Sequence, residues 1–310
     1  MGCSCAMNKE GKLHALLATA RIANVPSVLS NLAVGVLLGC ATEGAGFTWP
    51  WALSVAAVMF YVSGNFLNDW ADREWDAEHR PERALPRGLF REGLYLKVAV
   101  GGMGVGLVIA GFYGWVAWLV AAVLVGLIVL YTRVHKRVGW SVVPMGLCRA
   151  CLPVLGFVAV RGSLGGQVLF PAVGLLLYVV ALSLSARGES RADVEPGEKW
   201  MARGMLVGAG LVAALLPLMI MPLVGWIGLL PFFMWLGLCV TKYRSPVPAH
   251  VSALLAGIPL VDWIVLFPMA FIWLKLGRVE AGGGMFLTAL LLAPFCYVLG
   301  RMLQRLAPAT

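Results

Sequence analysis

Ten apolar runs follow one another along this 310-residue chain, near 22–41, 50–68, 95–112, 114–132, 141–160, 167–186, 203–221, 224–241, 250–274 and 284–300. Each approaches the ~20 residues that a helix needs to cross the hydrocarbon of a bilayer. In that solvent every backbone amide must find a partner within the protein, which leaves helix bundles and closed barrels. Strand-like alternation is missing, so the runs read as helices. Hydrophobic residues make up 60% of the chain and charged ones 13%, against about 45–50% and about 25% in soluble domains. A soluble enzyme, a disordered chain and a nucleic-acid-binding fold are thereby excluded. The expected fold is an all-α, polytopic transmembrane bundle of nine or ten helices, one membrane-embedded domain over 1–310 with a tail at 1–20. Nine or ten turns on the run 250–274, which Pro259 and Pro268 are able to break.

The formal charge is +9, and its distribution has a topological meaning. Arranged by the alternation of ten spans, twenty of the 24 Lys and Arg fall on one side. Only Arg161, Lys275 and Arg278 fall on the other, and Arg149 lies inside a span. Basic loops stay in the cytoplasm, so both termini and the large loops are expected there in an integral multi-pass membrane protein. No nucleic acid is needed to account for the basic composition. The seven cysteines are odd in number and several sit within apolar runs, which argues against a disulfide framework.

Carboxylates are concentrated. Of 15 Asp and Glu, seven lie between the second and third runs, and Glu189, Asp193, Glu195 and Glu198 follow the sixth. The first cluster reads Asn68-Asp69-Trp70-Ala71-Asp72-Arg73-Glu74-Trp75-Asp76. On a helix Asn68, Asp72 and Asp76 recur at i, i+4, i+8 and Asp69 stands three before Asp72, so all four share a face. Aligned carboxylates repel one another unless a cation sits among them. Mg²⁺ takes hard oxygen ligands and is commonly held by one or two carboxylates together with substrate phosphates. Arg80 and Arg83, in the run that follows, suit phosphate oxygens.

Asn68-Asp69-x-x-Asp72-x-x-x-Asp76 followed by Arg80-Pro81-x-Arg83-x-Leu85-Pro86-x-Gly88 resembles the first aspartate-rich motif of UbiA-type intramembrane prenyltransferases. Arg21-Ile22-Ala23-Asn24-Val25-Pro26 resembles that family's start of helix 1, and Tyr131-Thr132-Arg133-x-x-Lys136 its end of helix 4. The likeness runs over residues 15–245. The second motif departs from the family's Asp-x-x-x-Asp: Glu189-x-x-x-Asp193 stands there, and Arg187-Gly188-Glu189 fits the Arg-x-Glu type of the divergent EboC-like branch.

The resemblance implies transfer of an isoprenyl group from an isoprenyl diphosphate to a lipophilic or aromatic acceptor within the bilayer, the active site facing the cytoplasm. It implies Mg²⁺ held by Asp69, Asp72, Asp76, Glu189 and Asp193, with Asp69, Asp72, Asp76 and Lys136 as the catalytic set. Substrate would be held by Asn68, Arg80, Arg83, Lys136, Tyr131, Arg21 and Asn24. Trp70, Trp75, Tyr131 and Tyr178 are candidates for shielding a carbocation. Asp262 and Arg149 lie at membrane depth, where ionisable groups mark a cavity or pair with one another; an acceptor-side role for either stands against a structural ion pair or an Asp262 kept protonated. The alternative is a non-catalytic protein of the same fold that binds or moves an isoprenoid or another lipophilic metabolite, favoured by Glu189. A CDP-alcohol phosphotransferase would need Gly-x-x-Ala-Arg after its first Asp pair, and Arg73-Glu74-Trp75-Asp76 stands after Asp72 instead.

Overall fold

The computed structural model describes residues 2–41, 49–190, 196–275 and 283–307. Thirteen helices run through them: α1 (Gly2–Thr19), α2 (Val25–Ala41), α3 (Trp51–Ala71), α4 (Arg73–His79), α5 (Glu92–Gly111), α6 (Trp115–Val134), α7 (Val142–Arg161), α8 (Leu169–Ser190), α9 (Pro196–Ile220), α10 (Pro222–Thr241), α11 (Val247–Ala256), α12 (Ile258–Lys275) and α13 (Gly283–Leu306). Among the described residues ten segments are long and apolar enough to cross a membrane, which decides for ten over nine. The chain is an integral, multi-pass membrane protein.

The ninth span is the broken one. Val247–Lys275 crosses as α11 and α12, parted at Gly257 just ahead of Pro259, whose missing N–H suits a helix start and not a helix interior. Pro268, by contrast, lies within α12. The stretch expected as a tail is mostly α1, and His14 Nε2 on it lies 3.1 Å from the Leu306 carbonyl oxygen at the end of α13.

The spans differ in how much of them faces outward. Ile22–Ala41 is 83% buried, whereas Gly284–Leu306 is 22% buried. So α2 lies at the centre, against α7, and α7 packs on α8. Val28, Leu32 and Leu37 of α2, with Leu155 and Phe157 of α7, lie in the core. Outward-facing Trp51, Phe112, Trp115, Trp226 and Phe295 remain exposed, the arrangement hydrocarbon favours.

Small residues let α2 and α7 approach closely, as membrane helices with little hydrophobic drive between them require. A Cβ on Gly35 would overlap the Pro153 carbonyl oxygen, and one on Gly156 would overlap that of Leu32. The two glycines thus bring the polar side chains of α2 against α7.

Candidate active site

The site is built where α3 ends. Asp72 caps α3 and opens α4 in right-handed helical conformation, so the two helices are nearly continuous. Asp72 N–H donates to the Asn68 carbonyl and Asp76 N–H to that of Asp72. The i, i+4, i+8 face read from the sequence therefore persists through the junction, turned inward: Asn68, Asp72 and Asp76 are all buried.

Each carboxylate has a cationic partner. Arg83 Nη1 donates to Asp76 Oδ2 at 2.9 Å and to Asp69 Oδ1 at 3.3 Å. Lys136 Nζ lies 3.0 Å from Asp72 Oδ1 and 3.8 Å above the ring of Trp75. Asp72 Oδ2 receives Asn68 Nδ2 at 3.2 Å and stands 3.0 Å from His135 Nε2. Burial opposes ionisation of Asp72, but the bonds from His135 and Lys136 outweigh it and hold the carboxyl below its usual range. His135 and Lys136 both follow the C-terminus of α6, the end of a helix that favours the positive charge of Lys136. Asn68 Oδ1 is buried and has no hydrogen-bond partner among the described residues.

Beside this cluster lies a cavity of about 360 Å³. Asn68, Arg21, Arg80, Arg83, Arg187 and Tyr131 line it, together with apolar side chains such as Phe60, Leu124, Leu152, Leu182, Leu255 and Ile258. Among the described residues no carboxylate lines its wall. Asn24, also expected at the site, lines it too. Asp69, Asp72, Asp76 and Lys136 stand behind that wall.

Arg21 reaches the cavity from a strained turn. Its φ of 47° and ψ of 51° are left-handed, which costs an L-residue about 1–2 kcal/mol. Asn65 Nδ2 donates to the Ala20 carbonyl at 3.2 Å and Tyr61 Oη to that of Arg21 at 3.4 Å, so α3 clamps the turn. Arg187, in the last turns of α8, donates to the Gly139 carbonyl and to Ser141 Oγ, both at 2.7 Å. It ties α8 to the α6–α7 connection that carries His135 and Lys136.

The aromatic candidates separate. Tyr131 lines the cavity. Tyr178 is buried, donates to the Leu254 carbonyl and packs on Phe232. Trp75 stacks on His79, and Trp70 lies under Arg73. Tyr61 and Phe60 join Tyr131 in the cavity wall, a role nothing in their sequence context announces. Arg187, in the same wall, and His135 are likewise absent from the expected site. The signal for His135 is its spacing, four after Tyr131 and one before Lys136. Asp193 and the side chain of Glu189 lie outside the described residues. Among those described, no three His, Cys, Asp or Glu side chains converge as a metal cage.

Comparison with known proteins bears on the family and the fold. The profile described as the UbiA prenyltransferase family matches residues 28–255. The chain is 29% identical over 180 residues to digeranylgeranylglyceryl phosphate synthase of Thermococcus kodakarensis, across 55% of this chain and 60% of that protein. It is 37% identical over 89 residues to protoheme IX farnesyltransferase 1 of Chromobacterium violaceum, across 28% of this chain and 29% of that protein. The matches thus span less than two thirds of the length of these curated relatives. A solved structure of a UbiA homologue from Aeropyrum pernix K1 shares the fold, with a TM-score of 0.55 and 17% identity over 91% of this chain and 98% of that one. With the family's profile covering most of its length, the chain belongs to the UbiA prenyltransferase family.

Proposed function

We propose that the protein is a Mg²⁺-dependent intramembrane prenyltransferase that moves an isoprenyl group from an isoprenyl diphosphate to a lipophilic or aromatic acceptor. The observation that carries this reading is the two-sided cavity: five arginines and Asn68 on part of its wall, mostly apolar side chains on the rest, and Asp69 with the buried Asp72 and Asp76 behind. A diphosphate with a hydrocarbon tail has the same division of chemistry. The relatives named above, a farnesyltransferase and a synthase of a digeranylgeranyl-bearing phosphate by name, support it. The charge bias of the loops supports a mouth facing the cytoplasm.

The residues present fit magnesium. Asn68, Asp69, Asp72 and Asp76 supply only hard oxygens, and Asn68 Oδ1 is a buried acceptor left without a partner among the described residues. A cage of protein ligands is not required, because Mg²⁺ keeps several waters and takes phosphate oxygens. Glu189 and Asp193 are proposed as the remaining carboxylates. When bound, the metal neutralises the charge that develops on the leaving diphosphate.

The chain's own groups do the rest. Arg21, Arg80 and Arg187 donate to phosphate oxygens and hold the departing group in line. Arg83 and Lys136 are bound to carboxylates and would turn to phosphate where those carboxylates held the metal. Phe60, Leu124 and Leu152 keep water from the allylic carbon, and the faces of Tyr131 and Tyr61 offset its positive charge. The C–O bond breaks with its electron pair going to diphosphate. An electron pair of the acceptor forms the new bond, and the acceptor releases a proton.

The engagement of Arg83 and Lys136 with the aspartates also favours a second reading, a carrier that binds without turnover. One experiment separates them. The protein in nanodiscs is incubated with Mg²⁺, a panel of prenyl diphosphates and a panel of acceptors, and released diphosphate is measured. Release that disappears in Asp69→Ala and Asp72→Ala supports the enzyme. Saturable binding with no release across both panels overturns it in favour of the carrier.

A further inference from the structure

A second charged centre lies deeper in the same cavity. The wall follows α7 from Val142 to Leu152, about 15 Å of helix at 1.5 Å per residue. Arg149 lies about 10 Å along from Val142 by the same rise. It lines the cavity yet is only 9% exposed.

The surroundings of Arg149 hold the guanidinium in place without saturating it. Nη1 donates to Ser27 Oγ at 3.0 Å and to Asn31 Oδ1 at 3.2 Å, and the group lies 5.0 Å from the centre of the Tyr61 ring. Those are all the hydrogen bonds it makes among the described residues, and both come from one of its nitrogens. Asn31 in turn donates to Asp262 Oδ2 at 2.7 Å, and Ser30 donates to the same oxygen at 2.6 Å. Asp262 therefore faces Arg149 through an amide and not as a direct ion pair, and its Oδ1 has no hydrogen-bond partner among the described residues. A guanidinium presents planar, paired donors that match an oxyanion. At this depth, in a wall without carboxylates among the described residues, that is a binding group for an anion.

We infer that Arg149 is the anchor of an acceptor subsite, binding the carboxylate or phosphate of an acidic acceptor so that its nucleophilic atom faces the allylic carbon. The inference rests on the prenyl-transfer reading for what the anion belongs to, but not for the binding itself. A cation left alone beside the reacting carbon would disfavour a carbocation. Paired with an acceptor's anion, it instead holds negative charge and nucleophile together.

The test is a binding measurement with no prenyl diphosphate present. The full chain in nanodiscs is titrated by equilibrium dialysis with 4-tert-butylbenzoate, with its neutral amide, and with phenyl phosphate. At least one anion should bind about tenfold or more tighter than the amide, and the preferred anion tells carboxylate from phosphate. Arg149→Met should abolish the preference, and Arg149→Lys should retain part of it. Excess pyrophosphate with Mg²⁺ should leave anion binding in place.

Equal affinity for anions and amide overturns the inference, as does a preference that survives in Arg149→Met. Displacement by pyrophosphate overturns it too, since the anion would then be sitting on the mouth arginines. If Arg149→Met does not fold, the anion-to-amide ratio and the competition arm still decide. Should turnover never be found while the anion preference holds, the prenyl-transfer reading fails and the anion site stands.

Discussion

Lys136 Nζ stands 3.0 Å from Asp72 Oδ1, joining the segment after α6 to the junction of α3 and α4. The ammonium also lies 3.8 Å above the Trp75 ring, so carboxylate and aromatic face hold it between them. A lysine kept in this way is positioned before any substrate arrives, and little ordering remains to be done when a phosphate replaces the carboxylate as its partner.

Lys136→Met should therefore affect both stability and turnover. Loss of a hydrogen bond to the buried carboxylate of Asp72 costs about 1.5–3 kcal/mol, readable as a lower thermal midpoint in nanodiscs. Diphosphate release should fall by about 100-fold, the usual effect of removing one preorganised donor. A variant destabilised but fully active would restrict Lys136 to a structural part.

Arg83 bridges two carboxylates, and Asp76 is 2% exposed. In Arg83→Ala those carboxylates lose their counter-charge, and breaking a buried pair this way costs about 3 kcal/mol. Mg²⁺ should then stabilise the variant more than the natural protein, because it no longer competes with a guanidinium. The check is the rise in thermal midpoint on titrating Mg²⁺ into each protein. Equal rises would mean that the metal does not go to Asp69 and Asp76.

Metal removal gives a separate expectation. With EDTA in excess, diphosphate release should be lost, and it should return on adding back Mg²⁺. The fold should persist, since the aspartates keep Arg83, His135 and Lys136 as partners. Release that continues unchanged in EDTA would remove the metal from the mechanism.

What the sequence disclosed depended on how local each feature is. The spans were legible because hydrocarbon demands unbroken apolar stretches, and even the divided ninth was marked by Pro259. The shared face of Asn68, Asp72 and Asp76 was legible because helical periodicity depends only on spacing. Their partners were legible only in part: Arg83 stands close by in sequence as a cation for these acids, whereas His135 arrives from the end of a distant helix. The cavity wall was hidden for a different reason: Phe60, Tyr61 and Asn65 read as ordinary span residues until α2, α7 and α8 surround them. Arg149 and Asp262 announced themselves as charges at membrane depth, but the amide of Asn31 between them could not be foreseen.

Close approach of α2 to α7 underlies that buried network, because Ser27, Ser30 and Asn31 all belong to α2. Gly35→Ala should force the two helices apart, since the added methyl meets the Pro153 carbonyl oxygen and stands 2.7 Å from the Phe157 nitrogen. Overpacking of this kind costs about 1–3 kcal/mol or more, and backbone atoms cannot swing aside as a side-chain tip can. The thermal midpoint should fall, and with it any anion preference that depends on Arg149. Gly11→Ala is the control, because nothing lies within 4 Å of a Cβ there. If Gly35→Ala matched that control in both measurements, α2 and α7 would have room that their present contact does not reveal.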